Sequence, residues 1–191
     1  VKRGIDLTNP TVQPSSGIEI RNYQKEDYPS LGNLYASITT RENTTFWWIG
    51  DVDNWVNVFC AFEEGSMIAK GQVSIINIVP SGRSPESKHT IYVNLKTVPD
   101  REYDYDLLEK VYQRLYSRAL QLKETLSIEY STILCVGNDS SEMANNEFFT
   151  TQKDFLPLNS LFRMKSNLSN VIPRRHLVVS YILHNGKWIH L

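Results

Sequence analysis

"HTIYVNLKTVPDREYDYDLLEKVYQRLYSRAL" fills residues 89–120, and how it is read decides the fold. The first ten residues, "HTIYVNLKTV", read as a strand. Further on, Leu107, Val111, Leu115, Ala119 and Leu122 recur every three or four residues and share one helical face. "YSTILCVG", residues 130–137, follows as a short apolar run and reads as a buried strand. Strand, helix and strand in that order predict a right-handed crossover between parallel neighbours, strand 90–98 beside strand 132–137. The strand-to-helix turn is a place where free N–H groups of a helix start can hold a phosphate. Such turns usually carry glycine. This one has none, and Asp100, Glu102, Asp104 and Asp106 stand where an anion would sit.

Outward from that stretch, residues 1–17 hold two prolines and no periodic apolar face, and read as an N-terminal arm. "GIEIRNY" alternates as a strand over 18–23. Asp27 can cap a helix with Pro29 in its first turn, and Leu31, Leu34, Tyr35 and Ile38 form one face. Residues 39–56 read as a loop and a short helix that gather Trp47, Trp48 and Trp55. These are either a core plug or the wall of a substrate pocket. Residues 56–80 read as a hairpin turning at Glu63-Glu64-Gly65-Ser66. A short helix is expected over 140–149, capped by Ser140 or Ser141, and a strand with a break at Pro157 over 155–168. Residues 176–191 read as a hairpin on Asn185-Gly186. The fold class is α+β, a three-layer α/β/α domain with a mixed, mostly antiparallel sheet and one β-α-β crossover.

The 191 residues suffice for one substantial core. With 20 basic against 21 acidic residues the net charge is −1, which leaves no footprint for nucleic acid or a membrane surface. No apolar run has the length of a membrane span, and the first residues lack the apolar core of a signal peptide, so a cytoplasmic location is expected. Cys60 and Cys135 lie in apolar strand-like runs and read as buried free thiols. The four histidines have no metal-ligand spacing, and no metal site is expected.

The order of elements and four local stretches resemble the GNAT acetyltransferase superfamily over residues 18–168. "IEIRNYQKEDYPSLGNLY" is similar to the family's opening strand and helix. "NVFCAFEEGSMIAKGQVSI" resembles its second and third strands, with Glu64, Gly65 and Gly71 on the x-E-x-G-x-x-x-G turn. "IYVNLKTVPD" with "LLEKVYQRLYSRA" resembles the acetyl-coenzyme A segment. "ILCVGNDSSEMANNEFFTTQKDFLPLNSLFRMKSNL" resembles the closing elements, with Met164 to Leu168 on the M-x-x-x-L piece. The resemblance implies a GNAT-like domain over 18–168 and a C-terminal hairpin extension over 169–191. It also implies a bacterial-type acyltransferase using acetyl-CoA or another acyl-CoA on an amine-bearing small molecule or peptide. Cofactor-binding positions would be Val98, Arg101, Asp104, Tyr105, Asp106 and Asn138, with the N–H of Val98 as oxyanion donor. Trp47, Trp48 and Trp55 would line the substrate pocket, and Asn94 and Thr150 are the catalytic candidates.

The departures bear on function. The family loop R/Q-x-x-G-x-G/A, led here by Arg101, places Asp104 and Asp106 on its two glycines. Each like-charge pair at contact distance costs on the order of 1 kcal/mol, and several together cost roughly a hundredfold in affinity. Carboxylates in a first turn also favour the helix dipole. The family's general-acid tyrosine falls on Phe149 or Thr150, and neither is a good proton donor. The strand that often carries a glutamate base offers Asn94 and Lys96. Two functions follow: an acyltransferase with weakened or lost cofactor binding, or a non-catalytic binding or dimerisation module, the inactive partner of a tandem pair; a homodimer would form through the C-terminal hairpin.

Overall fold

In the computed structural model, the described residues are 17–39, 45–158 and, for the backbone alone, 181–184 and 187–190. The chain divides into two compact units, Val1–Phe148 and Phe149–Leu191.

The first unit carries a five-stranded sheet in the order β1-β2-β3-β4-β5. The strands are β1 Glu19–Asn22, β2 Val58–Glu63, β3 Ser66–Asn77, β4 Lys88–Thr97 and β5 Ser131–Val136. The first four run antiparallel to their neighbours, and β4 pairs parallel with β5. The crossover read from residues 89–137 is therefore present, bridged by helix α2, Tyr105–Glu124. Its buried residues include Leu107, Val111, Leu115 and Ala119, whereas Leu122 is half-buried. The β2–β3 turn places Glu64 and Gly65 at φ 49° and 77°. Glycine occupies that conformation without strain.

The two faces of the sheet are covered differently. Helix α1, Tyr28–Ile38, lays Leu31, Leu34 and Ile38 on Val58, Cys60 and Phe62. Asp27 precedes α1 as expected, but its carboxylate is held by Arg21 at 2.6 and 2.8 Å and by the Gln24 N–H at 2.8 Å. Asp27 stands at the N-cap position of α1 but makes no side-chain cap bond there; its carboxylate instead closes the capping box of the 3-10 turn Lys25–Asp27 with Gln24. α2 covers the opposite face. A Cβ placed on Gly71 of β3 would lie 2.6 Å from Leu115 Cδ1, so glycine here allows the helix to lie close on the sheet. Cys60 and Cys135 are buried and unpaired. The region between α1 and β2 holds a 3-10 turn, Val52–Asn57. Among the described residues no helix is long and apolar enough to cross a membrane.

Helix α3, Met143–Glu147, is entered through Glu142, not through a serine cap. A π turn, Phe148–Gln152, continues the chain. In the second unit, Phe149 and Phe155 meet edge-on at 5.2 Å, and β6 Tyr181–His184 pairs antiparallel with β7 Lys187–His190. That pairing lies within the hairpin expected over 176–191, and its turn residues lie outside the described residues; of the strand expected over 155–168, residues 155–158 are not in a strand, and the rest lie outside the described residues.

Candidate active site

β4 and β5 are paired only from Lys88↔Ser131 to Val93↔Val136. β4 then continues to Thr97 while β5 ends, so the two strands splay. On its other edge β4 stays paired with β3 as far as Ala69↔Thr97. The Val98 N–H donates to Ile68 O at 2.9 Å. Antiparallel pairing alternates, so the main-chain groups of Val98, Lys96 and Asn94 point to β3, and those of Leu95 and Thr97 point into the splay. Asn145 bears this out: its Nδ2 donates to Leu95 O at 2.9 Å. The oxyanion role expected of Val98 is therefore corrected. Its N–H is already engaged by β3, and Thr97 is the neighbour that faces the splay.

Side chains fill the gap. Lys96 is 1% exposed and ion-paired with Glu142, which is 7% exposed. Glu142 also accepts the Asp139 N–H at 2.7 Å through its second oxygen. Asp139 shapes this turn: its carboxylate accepts Ser141 N at 2.9 Å, and its carbonyl accepts Glu142 N at 3.0 Å. The chain leaving β5 is thereby folded back so that Glu142 and Asn145 both reach β4. Between them lies a cleft lined by Ile38, Lys96, Thr97, Glu102, Glu142 and Asn145, with about 20 Å³ of free volume. That holds about one water. Burial pulls the Lys96 amine below the usual lysine range, against the pull of Glu142. Just past β5, Asn138 Oδ1 is buried and has no hydrogen-bond partner among the described residues.

The strand-to-helix turn is engaged by its own side chains. Asp104 is the N-cap of α2, and its carboxylate accepts the Leu107 N–H at 3.0 Å. Arg101 donates to Asp104 Oδ2 at 2.8 and 3.1 Å and to Glu63 Oε2 at 2.7 Å. Arg101 and one helix-start N–H are thus held by carboxylates. Asp106 is exposed in the first turn, and Tyr105 stacks on Phe148 at 6.3 Å.

The other expected site residues separate. Asn94 Nδ2 donates to Thr45 O at 3.1 Å, and its Oδ1 accepts Trp47 N at 3.4 Å, so this side chain ties the 45–47 segment to β4. Thr150 is exposed and belongs to the second unit. Trp47 lies by Tyr92, with ring centroids 6.2 Å apart. Trp48, 48% exposed, stands against Tyr35 and Phe46. Trp55 packs edge-on to Tyr23 at 5.1 Å within the α1-side core. The three indoles do not converge, and none lines the splay cleft.

Two residues of weight were missed or discounted in the sequence. Glu142, 46 positions from Lys96, has no local signal. Lys70 lies directly opposite Lys96 in the β3–β4 register and is fully buried. Its amine donates to Trp47 O and to Gln72 Oε1 at 2.7 Å, below the Phe46 ring at 4.9 Å. Burial lowers its pKa to about 7. A lysine inside an otherwise strand-like run with apolar flanks was the available signal.

No protein-family model matches the chain, and no curated protein matches it in sequence. Solved structures do match. The N-acetyltransferase from Staphylococcus aureus Mu50 superposes with a TM-score of 0.50 at 17% identity, over 72% of this chain and 83% of that one. The yncA protein of Salmonella typhimurium, solved with its cofactor acetyl-CoA, gives 0.51 at 15% identity, over 72% and 79%. The fold is that of the GNAT N-acetyltransferases. At these identities the likeness is one of fold alone.

Proposed function

We propose that the chain is an N-acyltransferase domain that takes a thioester into the splay between β4 and β5 and passes its acyl group to an amine, with weakened affinity for coenzyme A. The observation that carries this reading is the edge of β4 left open beyond Val93, where Leu95 and Thr97 turn main-chain groups to the gap. Acyl-coenzyme A supplies an acyl carbon activated by sulfur. The two halves of that molecule fit unequally. For the pantetheine arm there is a strand edge, and Asn138 Oδ1 lacks a donor that an amide N–H would provide. For the diphosphate, Asp104 caps Leu107 N, and Arg101 is held by Asp104 and Glu63. The Thr97 N–H is the oxyanion donor in this reading, and positioning of the amine supplies most of the rate.

Asn145 favours a second reading, a non-catalytic module, because it occupies the Leu95 carbonyl and helps leave only about 20 Å³ in the cleft. A thermal-shift titration with acetyl-coenzyme A and with acetyl-pantetheine separates the two. A ligand at a hundred times its dissociation constant adds about 2.7 kcal/mol of stability. Stabilisation by acetyl-pantetheine, with coenzyme A the weaker per mole, supports the transferase. No shift with either, up to millimolar concentration, supports the module.

A further inference from the structure

We propose that Lys96 and Glu142 are an acid–base pair for acyl transfer in the splay, Lys96 giving a proton to the departing sulfur and Glu142 taking one from the attacking amine. This rests on the acyltransferase reading above. Both side chains line the cleft beside Thr97, and both are almost fully shielded from water. Glu142 is aimed by the Asp139 N–H on its other oxygen. Lys96 is aimed by β4, whose register with β3 is fixed through Lys70↔Lys96.

Among the described residues no tyrosine lines this cleft. Phe148 and Phe149 carry no proton to give, and Thr150 is exposed. Lys96 is the ammonium that lines it. The charged and titratable groups around it are Glu142, Asp139 and Glu102 on the acid side and Lys70 beside it on β3. Burial makes the Lys96 proton easier to release, and Glu142 keeps it in place until needed. A purely structural reading explains less. A buried ion pair is often no more stabilising than apolar side chains of similar volume, and Asn145 already ties α3 to β4.

The step balances. The amine nitrogen bonds the thioester carbonyl carbon, and the carbon–sulfur bond breaks with its electron pair on sulfur. Nitrogen loses one proton to the Glu142 carboxylate, and sulfur gains one from the Lys96 ammonium. An amide and a free thiol result. The proton on Glu142 then passes along their hydrogen bond to the Lys96 amine, which restores the pair.

The test uses the full chain and pantetheine, a thiol without the nucleotide. Thiolate absorbance of the bound probe is titrated against pH in the wild type, in Lys96→Met/Glu142→Leu and in Lys96→Arg. A neighbouring cation favours the thiolate, so the bound thiol should ionise about one pH unit lower in the wild type than in the apolar double variant. Acyl transfer from acetyl-pantetheine should fall about 10²- to 10⁴-fold in kcat in the double variant, with KM held. Lys96→Arg should keep the low thiol pKa yet lose kcat, because arginine does not release its proton. Equal thiol pKa in wild type and double variant overturns the pair and leaves the transferase reading standing. Full kcat in Lys96→Arg overturns the proton-donor role. Failure of the wild type to bind pantetheine at millimolar concentration overturns the transferase reading and the pair with it.

Discussion

Replacing Asp104 and Asp106 together by glycine should lower the stability of the domain and raise its affinity for coenzyme A. The two effects have separate origins. Asp104 caps Leu107 N and pairs with Arg101, and Asp106 stands in the first turn of α2. Loss of an aspartate cap to glycine costs only a few tenths of a kcal/mol, and an exposed ion pair contributes about 0–1 kcal/mol. Glycine within a helix costs about 1 kcal/mol. The sum is about 2 kcal/mol, or about 4–8 °C in Tm for a chain of this size.

The affinity change runs the other way. Two carboxylates leave a site where each would oppose a phosphate by on the order of 1 kcal/mol. The Leu107 N–H and the Arg101 fork, now engaged by Asp104, become available to the diphosphate. A gain of about 2 kcal/mol is roughly thirtyfold in Kd. Isothermal titration with coenzyme A reads it, with pantetheine as the control whose affinity should not move. Unchanged coenzyme A affinity in the glycine variant would refute the reasoning, as would micromolar or tighter binding by the unaltered chain.

Two further outcomes concern the sheet. Gly71→Ala should destabilise by about 1–3 kcal/mol, because the new methyl would sit 2.6 Å from Leu115 Cδ1 and 3.0 Å from Cγ. In urea denaturation the penalty should shrink when the methyl is added to Leu115→Ala; an undiminished penalty would place the strain elsewhere. Lys70 should make stability rise with pH. Its folded pKa of about 7 lies below the usual 10.5, so between those values the unfolded chain binds the extra proton and each step up in pH favours the folded state. From pH 7 to 9 this one group contributes about 2 kcal/mol, or about 5 °C in Tm. The Cys60 thiol, pushed up to about 12 by burial, opposes it only above pH 9. Lys70→Met should lose that rise in a pH series of melting curves, and a rise of the same size in the variant would count against the assignment.

The crossover was legible because its signals are local: an apolar face on α2 and two apolar runs beside it. The self-occupied turn was legible for the same reason. Asp104 stands at a cap position, and capping is decided within four residues. The assignment of Val98 failed on parity. Which β4 residues face the splay depends on pairing with Ile68 and Ala69, and a slip of one residue exchanges the two edges. Nothing in residues 89–98 fixes that register. The end of β5 pairing at Val136 is equally silent, since β4 stays buried through Thr97. Lys96 was visible and Glu142 was not, because their meeting is made by the turn at Asp139 and not by spacing.

Beyond Val93 the residues of β4 divide their tasks by parity. Leu95 turns its main chain to the splay, and its Gly71 partner carries the close contact with α2 at Leu115. Asn94 and Lys96 turn their main chains to β3 and their side chains to the α1 face, opposite Gln72 and Lys70. That face therefore holds four polar side chains in two cross-strand pairs, all buried. Each has found a partner: Asn94 the 45–47 segment, Lys70 Trp47 O and Gln72, Lys96 Glu142. An apolar ladder would cost less to bury. One of the two amines, Lys96, faces a carboxylate at the end of the strand edge, and a buried ion pair there is explained less well by packing than by the proton transfer proposed above. Asn94 is the member with a sufficient structural role. Lys96 is the member whose partner lies on the far lip of the splay, where ligand and proton would have to meet.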